Sequence, residues 1–231
     1  MAVDYLRELV IENKDILRTV ILFGSRSDAT AREDSDLDYI VILRDSQDLQ
    51  HVEAIAEAIK RKTGVVSDAN CLYESEALRE AGEDFMVHDI IHNGEVIYDD
   101  GFVRQLKKIG ISPNAGRGVI RKRLERIQRS KETALESLHR ILYIGFYRYL
   151  YDRTGEVVPM HKIDSVMLSM DAYPEYVSLG RQIIKLKKAR ANLSFLELSE
   201  LESKVYKALE EMGGGYEKEF EFQKLSQYKQ R

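Results

Sequence analysis

The most constraining feature of this chain is a loop. An apolar run, Val20-Ile21-Leu22-Phe23, stops at Gly24-Ser25, ten mostly polar residues follow, and the chain turns apolar again as Leu37-Asp38-Tyr39-Ile40-Val41-Ile42-Leu43. Two short apolar runs around a Gly/Ser/Asp-rich segment predict strand, loop, strand. Side chains alternate along a strand, so Asp36 and Asp38 project to the same side. Two neighbouring carboxylates repel unless a cation sits between them, and an all-oxygen ligand set suits Mg²⁺ or Mn²⁺. At the other end of the loop, Gly24 permits close backbone approach. Ser25 offers an N–H and a hydroxyl, groups that hold phosphate oxygens. Arg26, next in line, can reach a triphosphate. A phosphate-holding Gly-Ser opposite a metal-holding Asp-x-Asp points to phosphoryl or nucleotidyl transfer, in which the protein mainly positions groups and neutralises charge.

A third carboxylate follows from topology. The helical spacing of Val52, Ile55, Ala56 and Ile59 predicts a helix over Leu49–Lys62, Gly64 fits its stop, and Val65–Leu72 reads as a strand. A strand–helix–strand crossover brings that strand beside the Asp-x-Asp strand. Asp68 is the best third acid there, with Asn70 and Glu74 as weaker candidates from the same region.

These residues resemble the nucleotidyltransferase superfamily of DNA polymerase β, in its minimal and antibiotic-modifying branches. Gly24-Ser25 and Ser35-Asp36-Leu37-Asp38 stand at that family's spacing, and the resemblance covers about residues 1–108. One departure is Asp28-Ala29, where many members carry a second glycine. The resemblance implies a mixed-sheet α/β domain that moves a nucleoside monophosphate from an NTP, ATP first, to an acceptor hydroxyl with release of pyrophosphate. Asp36, Asp38 and Asp68 would then be catalytic and hold Mg²⁺ or Mn²⁺, with Asp68 helping to deprotonate the attacking group. Gly24 and Ser25 would bind the nucleotide, joined by Arg26. A small molecule is the favoured acceptor. The alternatives are nucleotidylation of a protein or polynucleotide, as in antitoxin-like relatives, and a non-catalytic nucleotide-binding module.

Composition bounds the rest. The 231 residues allow one or two domains. A single cysteine, Cys71, excludes an intramolecular disulfide and fits a reducing compartment. No apolar run approaches a membrane span of ~20 residues, and no signal-peptide pattern opens the chain. A cytoplasmic protein with no membrane partner is expected, and a homodimer is compatible with the composition. The net charge of −4 hides a split: residues 1–100 hold 23 acidic and 10 basic side chains, a balance of −13, and residues 101–231 hold 16 and 25, a balance of +9. Interdomain attraction accounts for the basic half as well as a polyphosphate or nucleic-acid partner does.

The breaker-rich stretch Gly110–Gly118 sets the expected boundary: a nucleotidyltransferase domain over 1–110, an all-α helical bundle over 117–212 that binds the acceptor, and a charged tail over 213–231. In the first part, an amphipathic N-terminal helix is expected through Tyr5, Leu6, Leu9 and Val10, then helical patterns cover Glu74–Glu80, Asp84–Ile91 and Phe102–Ile109, with a strand at Glu95–Tyr98. In the second, Leu124, Ile127, Ala134, Leu138, Ile141, Leu142 and Gly145 share one face of a predicted long helix ending near Gly155. Further helices are expected over Lys162–Met170, Tyr173–Ala191 and Ser194–Met212. The architecture looks like the C-terminal helical domains of antibiotic nucleotidyltransferases and the related HEPN domains. HEPN ribonucleases carry an arginine and a histidine with four to six residues between them, a spacing that Arg153 and His161, with seven between, do not match.

Other residues carry blander readings. Asp28 and Asp34 read as solvated loop acids. Arg121-Lys122-Arg123, Arg126 and Arg129, like Arg181, Lys185, Lys187, Lys188 and Arg190, read as wet helix faces ahead of a nucleic-acid track. Tyr143, Phe146, Tyr147, Tyr149 and Tyr151 read as core packing ahead of a stacking surface. His88 and His92 at i, i+4 supply half of a zinc site with no evident partners.

Overall fold

Four strands form one mixed sheet in the order β3-β2-β1-β4: β1 Leu17–Phe23, β2 Leu37–Leu43, β3 Ser67–Tyr73 and β4 Glu95–Asp99. The structure is a computed structural model that describes residues 2–27, 35–45, 49–129 and 133–213. Chain packing divides it into two units between Pro113 and Asn114. In the first unit β1 runs antiparallel to β2 and to β4, and β2 runs parallel to β3. The parallel pair is joined through α2 Gln50–Thr63, which Gly64 ends in the left-handed conformation with its N–H on the Lys60 carbonyl.

Alternation along the strands sends side chains to two cores. Leu17, Leu22, Leu37, Tyr39, Val41 and Leu43 pack with α1 Ala2–Glu12 and α2 on one face. Ile21, Ile40 and Ile42 pack on the other with α3 Glu74–Glu83, α4 Phe85–Asn93 and α5 Val103–Leu106. Asp84 caps α4, accepting from the N–H groups of Met86 (2.7 Å) and Val87 (3.3 Å). The expected helix over Phe102–Ile109 is a single turn. Past Leu106 the backbone tightens, Lys108 donating to Gln105 and Ile109 to Leu106, which is i→i−3 bonding that ends an α-helix.

The second unit is helical: α6 Arg117–Arg129, α7 Ala134–Thr154, α8 Ile163–Ser169, α9 Pro174–Lys188 and α10 Phe195–Glu211. The predicted long helix is therefore two, α6 and α7, packed against each other. Its apparent single face was the shared interface: Ile120 and Leu124 of α6 are buried, as are Ala134, Leu138, Ile141 and Leu142 of α7. Helices α8, α9 and α10 also pack on α7, which is why it buries residues on most of its circumference. Gly145 sets one of these approaches, since a Cβ there would lie 2.0 Å from Leu209 Cδ2. The residues from 214 onward, including most of the expected tail, fall outside the described residues.

Two stability predictions follow from this packing. Gly145→Ala should destabilise the protein by about 1–3 kcal/mol, the scale of overpacking. Adding Leu209→Ala should recover part of that loss, so that the double variant loses less than the two single losses combined. Additive losses by chemical denaturation would refute the close contact. The second prediction concerns His88, only 2 % exposed and stacked on His92 with ring centroids 4.3 Å apart. Burial first, and His92 second, push its pKa down to about 4. Burial likewise pushes His139 of α7 down to about 4. Between pH 6.5 and 4 the unfolded chain takes up a proton that the folded state refuses. Stability therefore falls as pH falls through that window, by up to about 3 kcal/mol per group. His88→Gln should flatten the pH dependence of the melting temperature there, and an unchanged slope would refute the assignment.

Candidate active site

The site lies at the end of the sheet where β1 ends and where β2 and β3 begin. Asp38 is fixed from both sides, opposite Phe23 on antiparallel β1 and opposite Asp68 on parallel β3. Neighbouring strands lie ~4.8 Å apart, so this register sets Asp38 and Asp68 level on one face. Asp36 stands two residues before Asp38, outside the strand but on the same face. That is the face of Ile40 and Ile42, whose core ends short of the strand starts.

The Gly-Ser pair packs directly on this end of the sheet. Gly24, Ser25 and Arg26 form a 3-10 turn that leaves β1 with Gly24 at φ +71°, a left-handed conformation that glycine adopts without strain. A Cβ on Gly24 would lie 2.4 Å from Asp38 Oδ2. Ser27 closes the turn, its N–H and its hydroxyl both donating to the Gly24 carbonyl at 3.1 and 2.8 Å. Arg26 does not point away from the fold. Its Nε donates to the Ser35 carbonyl at 3.0 Å and to the Asp36 carbonyl at 3.1 Å, and Nη2 donates to Ser35 at 2.5 Å.

The electrostatics match the geometry. The Asp38 carboxyl is held above the ordinary carboxylate range by burial, then by the charges of Asp68 and Asp36, against an opposing pull from Arg26. Among the described residues no lysine or arginine forms an ion pair with Asp36, Asp38 or Asp68. At the far end of the same sheet the opposite holds: Arg18 pairs with Asp100 at 2.6 Å and Glu74 at 3.2 Å, and Arg44 pairs with Asp100 at 3.0 Å. No three acidic, imidazole or thiol side chains among the described residues converge closely enough to hold a cation as they stand. The donor set itself fits Mg²⁺ or Mn²⁺, since it is all oxygen, shares one face and has no ion-pair partner among the described residues.

The structure thus sets Gly24 against Asp38 and Asp38 level with Asp68, with Asp36 two residues before Asp38 and with Ser25 and Arg26 in the turn. Asn70 shares the face of Asp68 but stands level with Ile40, deeper in the sheet. Glu74 follows the other end of β3, roughly 20 Å along the strand from Asp68 at ~3.3 Å per residue, and is spent on Arg18. Asp28 and Asp34 lie outside the described residues. Two contributors escaped the sequence reading: Phe23, whose register fixes Asp38, and the Ser35 and Asp36 carbonyls that engage Arg26. Neither leaves a local sequence signal. Burial pushes the Cys71 thiol up to about 11, which suits a structural residue and not a nucleophile. His88 and His92 form no metal set with other described residues.

Comparison with known proteins bears on the fold. The family model described as "Polymerase beta, Nucleotidyltransferase" matches residues 6–101. Over those residues the first unit is similar to the DNA polymerase β-like nucleotidyltransferase superfamily. Among solved structures the chain is similar to the spectinomycin adenyltransferase AAD(9) from Enterococcus faecialis, solved with ATP and spectinomycin. The identity is 13 %, the match covers 90 % of this chain and 98 % of that one, and the TM-score is 0.53. At that identity the likeness is one of fold, an α/β sheet domain followed by helices. A toxin–antitoxin structure with AMP-PNP matches 47 % of this chain and 86 % of its own at 19 % identity, with a TM-score of 0.36. No match was found among curated proteins. No helix among the described residues is long and apolar enough to cross a membrane.

The contact between Gly24 and Asp38 makes a direct prediction. Gly24→Ala should disturb both the turn and the carboxylate, lowering nucleotide affinity while leaving the two cores folded. Asp38→Asn should act in the other sense on stability, raising the metal-free melting temperature at neutral pH because it removes a charge that burial and two neighbours oppose. That gain should shrink as pH falls and Asp38 itself protonates. A melting temperature lowered by Asp38→Asn at pH 7 would refute the electrostatic account.

Proposed function

We propose that this protein is a Mg²⁺-dependent nucleotidyltransferase that moves a nucleoside monophosphate from an NTP, ATP first, to an acceptor hydroxyl. The observation that carries the reading is the packing of the Gly24 turn on Asp38, with Asp68 level beside it. It supports the reading by setting the backbone of the Gly-Ser turn against carboxylates that have no ion-pair partner among the described residues. In this reading Gly24 and Ser25 hold the outgoing phosphates and Asp36, Asp38 and Asp68 hold the metal. Divalent cations bound there would neutralise charge on the transferring phosphate and lower the pKa of the acceptor hydroxyl. The acceptor oxygen forms a bond to the α-phosphorus, the bond from that phosphorus to the bridging oxygen breaks, and pyrophosphate leaves. Asp68, exposed at the strand start, takes the acceptor proton on its carboxylate.

A small polar acceptor is the favoured class. The helical unit carries a cavity of about 770 Å³ whose wall joins Glu136, Lys187, Arg190 and Asn192 to Leu135 and Leu198. That size and mixture are those of small-molecule sites. The exposed Arg121, Lys122 and Arg126 of α6 fit a solvated helix face, and a small acceptor needs no extended basic track. We place the protein in the cytoplasm on its single cysteine.

The test is incubation with each labelled NTP, Mg²⁺ and candidate acceptors, scoring pyrophosphate release. Asp36→Asn or Asp38→Asn should cut transfer by at least ~10²–10³, the scale of one lost transition-state contact. Asp68→Ala should keep its affinity for a non-hydrolysable NTP yet lose most of the chemical step. Unchanged turnover in both Asp36→Asn and Asp38→Asn would overturn the metal assignment.

A further inference from the structure

Asp36 and Asp38 are anchored in different ways. Asp38 sits inside the sheet, with a partner strand on each side. Asp36 precedes the first paired residue of β2, Leu37, whose N–H donates to the Val66 carbonyl at 2.9 Å. What reaches Asp36 in place of a strand is the Arg26 guanidinium, bonded to the carbonyls of Ser35 and Asp36. Those bonds span the neck of the loop, since Arg26 closes the Gly-Ser turn and Ser35-Asp36 open the next strand. The Nε and Nη2 donors used here form one edge of the planar fork with which an arginine grips phosphate.

We propose that Arg26 is a positioning residue: by clamping the Ser35 and Asp36 carbonyls it fixes the backbone of Asp36, and with it the Asp36 carboxylate, for a divalent cation. The proposal rests on the metal-binding reading of Asp36 and Asp38 above and assigns Arg26 a role other than phosphate contact. It makes a prediction opposite in sign to simple electrostatics. A fixed positive charge beside an anionic site repels a metal, so deleting Arg26 would tighten metal binding if charge were its whole contribution. A clamp predicts weaker binding.

The experiment is a Mn²⁺ titration of the nucleotide-free protein, followed by electron paramagnetic resonance, for the wild type, Arg26→Ala and Arg26→Lys. Amide hydrogen exchange over residues 35–37 is measured alongside. Both variants should bind Mn²⁺ about 10–100-fold more weakly, the usual cost of losing a group that orients a metal ligand. Lysine should not rescue, because it keeps the charge but lacks the fork. Exchange at Leu37 should quicken in both. In an Asp36→Asn background Arg26→Ala should add no further loss, because Arg26 acts through Asp36. Equal or tighter Mn²⁺ binding by Arg26→Ala, or full rescue by Arg26→Lys, would overturn the clamp while leaving the metal site standing. Absence of Mn²⁺ binding by the wild type would instead overturn the metal reading and this proposal with it. Should Arg26→Ala fail to fold, Arg26→Lys and its exchange rates decide the question.

Discussion

Strand β2 is hydrogen-bonded along both edges, antiparallel to β1 and parallel to β3, and the site depends on that double registration. Because side chains alternate, a slip of one residue would send Asp38 to the opposite face and Leu37 toward the solvent end of the other core. The buried alternation of Leu37, Tyr39, Val41 and Leu43 on one side, with Ile40 and Ile42 on the other, prevents this slip. Once the register is set, Phe23 faces Asp38 and the residue after β1, Gly24, turns directly over its carboxylate. Apolar packing several residues away thus determines a polar contact at the end of the sheet.

The two ends of the sheet handle charge in opposite ways. At one end Arg18 and Arg44 share Asp100, Arg18 also reaches Glu74, and its guanidinium lies 4.7 Å from the centre of the Phe102 ring. At the other end Asp38 is pushed toward its neutral form by burial and by its two acidic neighbours. A fold selected for stability alone would pair or remove such groups. Retaining them is the pattern expected where stability is exchanged for function. Arg26 moderates the repulsion without closing the site, since its hydrogen bonds go to main-chain carbonyls and leave the carboxylate oxygens open to a cation.

Much of this was legible in the sequence because it follows from local rules. Apolar runs marked β1 and β2, Gly64 marked the end of α2, and the crossover rule carried Asp68 to the strand beside Asp38. The break between α6 and α7 was not legible. Two helices that bury one face against each other repeat the same 3.6-residue pattern, so Leu124, Ala134 and Leu138 line up on paper as though continuous. The hydrogen bonds of Arg26 were illegible for a different reason: they join a side chain to carbonyls nine and ten residues away, and carbonyls carry no residue identity. Sequence could nominate Arg26 only by its neighbours, and neighbours suggested phosphate.

The tyrosines of the helical unit show the same distinction between a residue's type and its engagement. Along α7 their spacing reads as core packing ahead of a surface for stacking a base or a ring, and Tyr143, Phe146 and Tyr147 are buried. The Tyr143 hydroxyl donates to Asp164 at 2.5 Å, and burial together with that carboxylate pushes its pKa up. Tyr176 donates to the Glu211 carboxylate, and Tyr173, held at a positive φ of 49°, donates to the Glu211 carbonyl at 3.0 Å while Tyr149 meets its ring edge-on. The polar ends of Tyr143, Tyr173 and Tyr176 are thus satisfied within the unit, where they tie α7, α8, α9 and α10 together. Stacking chemistry in this unit is accordingly directed inward. Its cavity is lined instead by charged and amide groups at Glu136, Lys187, Arg190 and Asn192, of which Glu136 and Lys187 pair with each other.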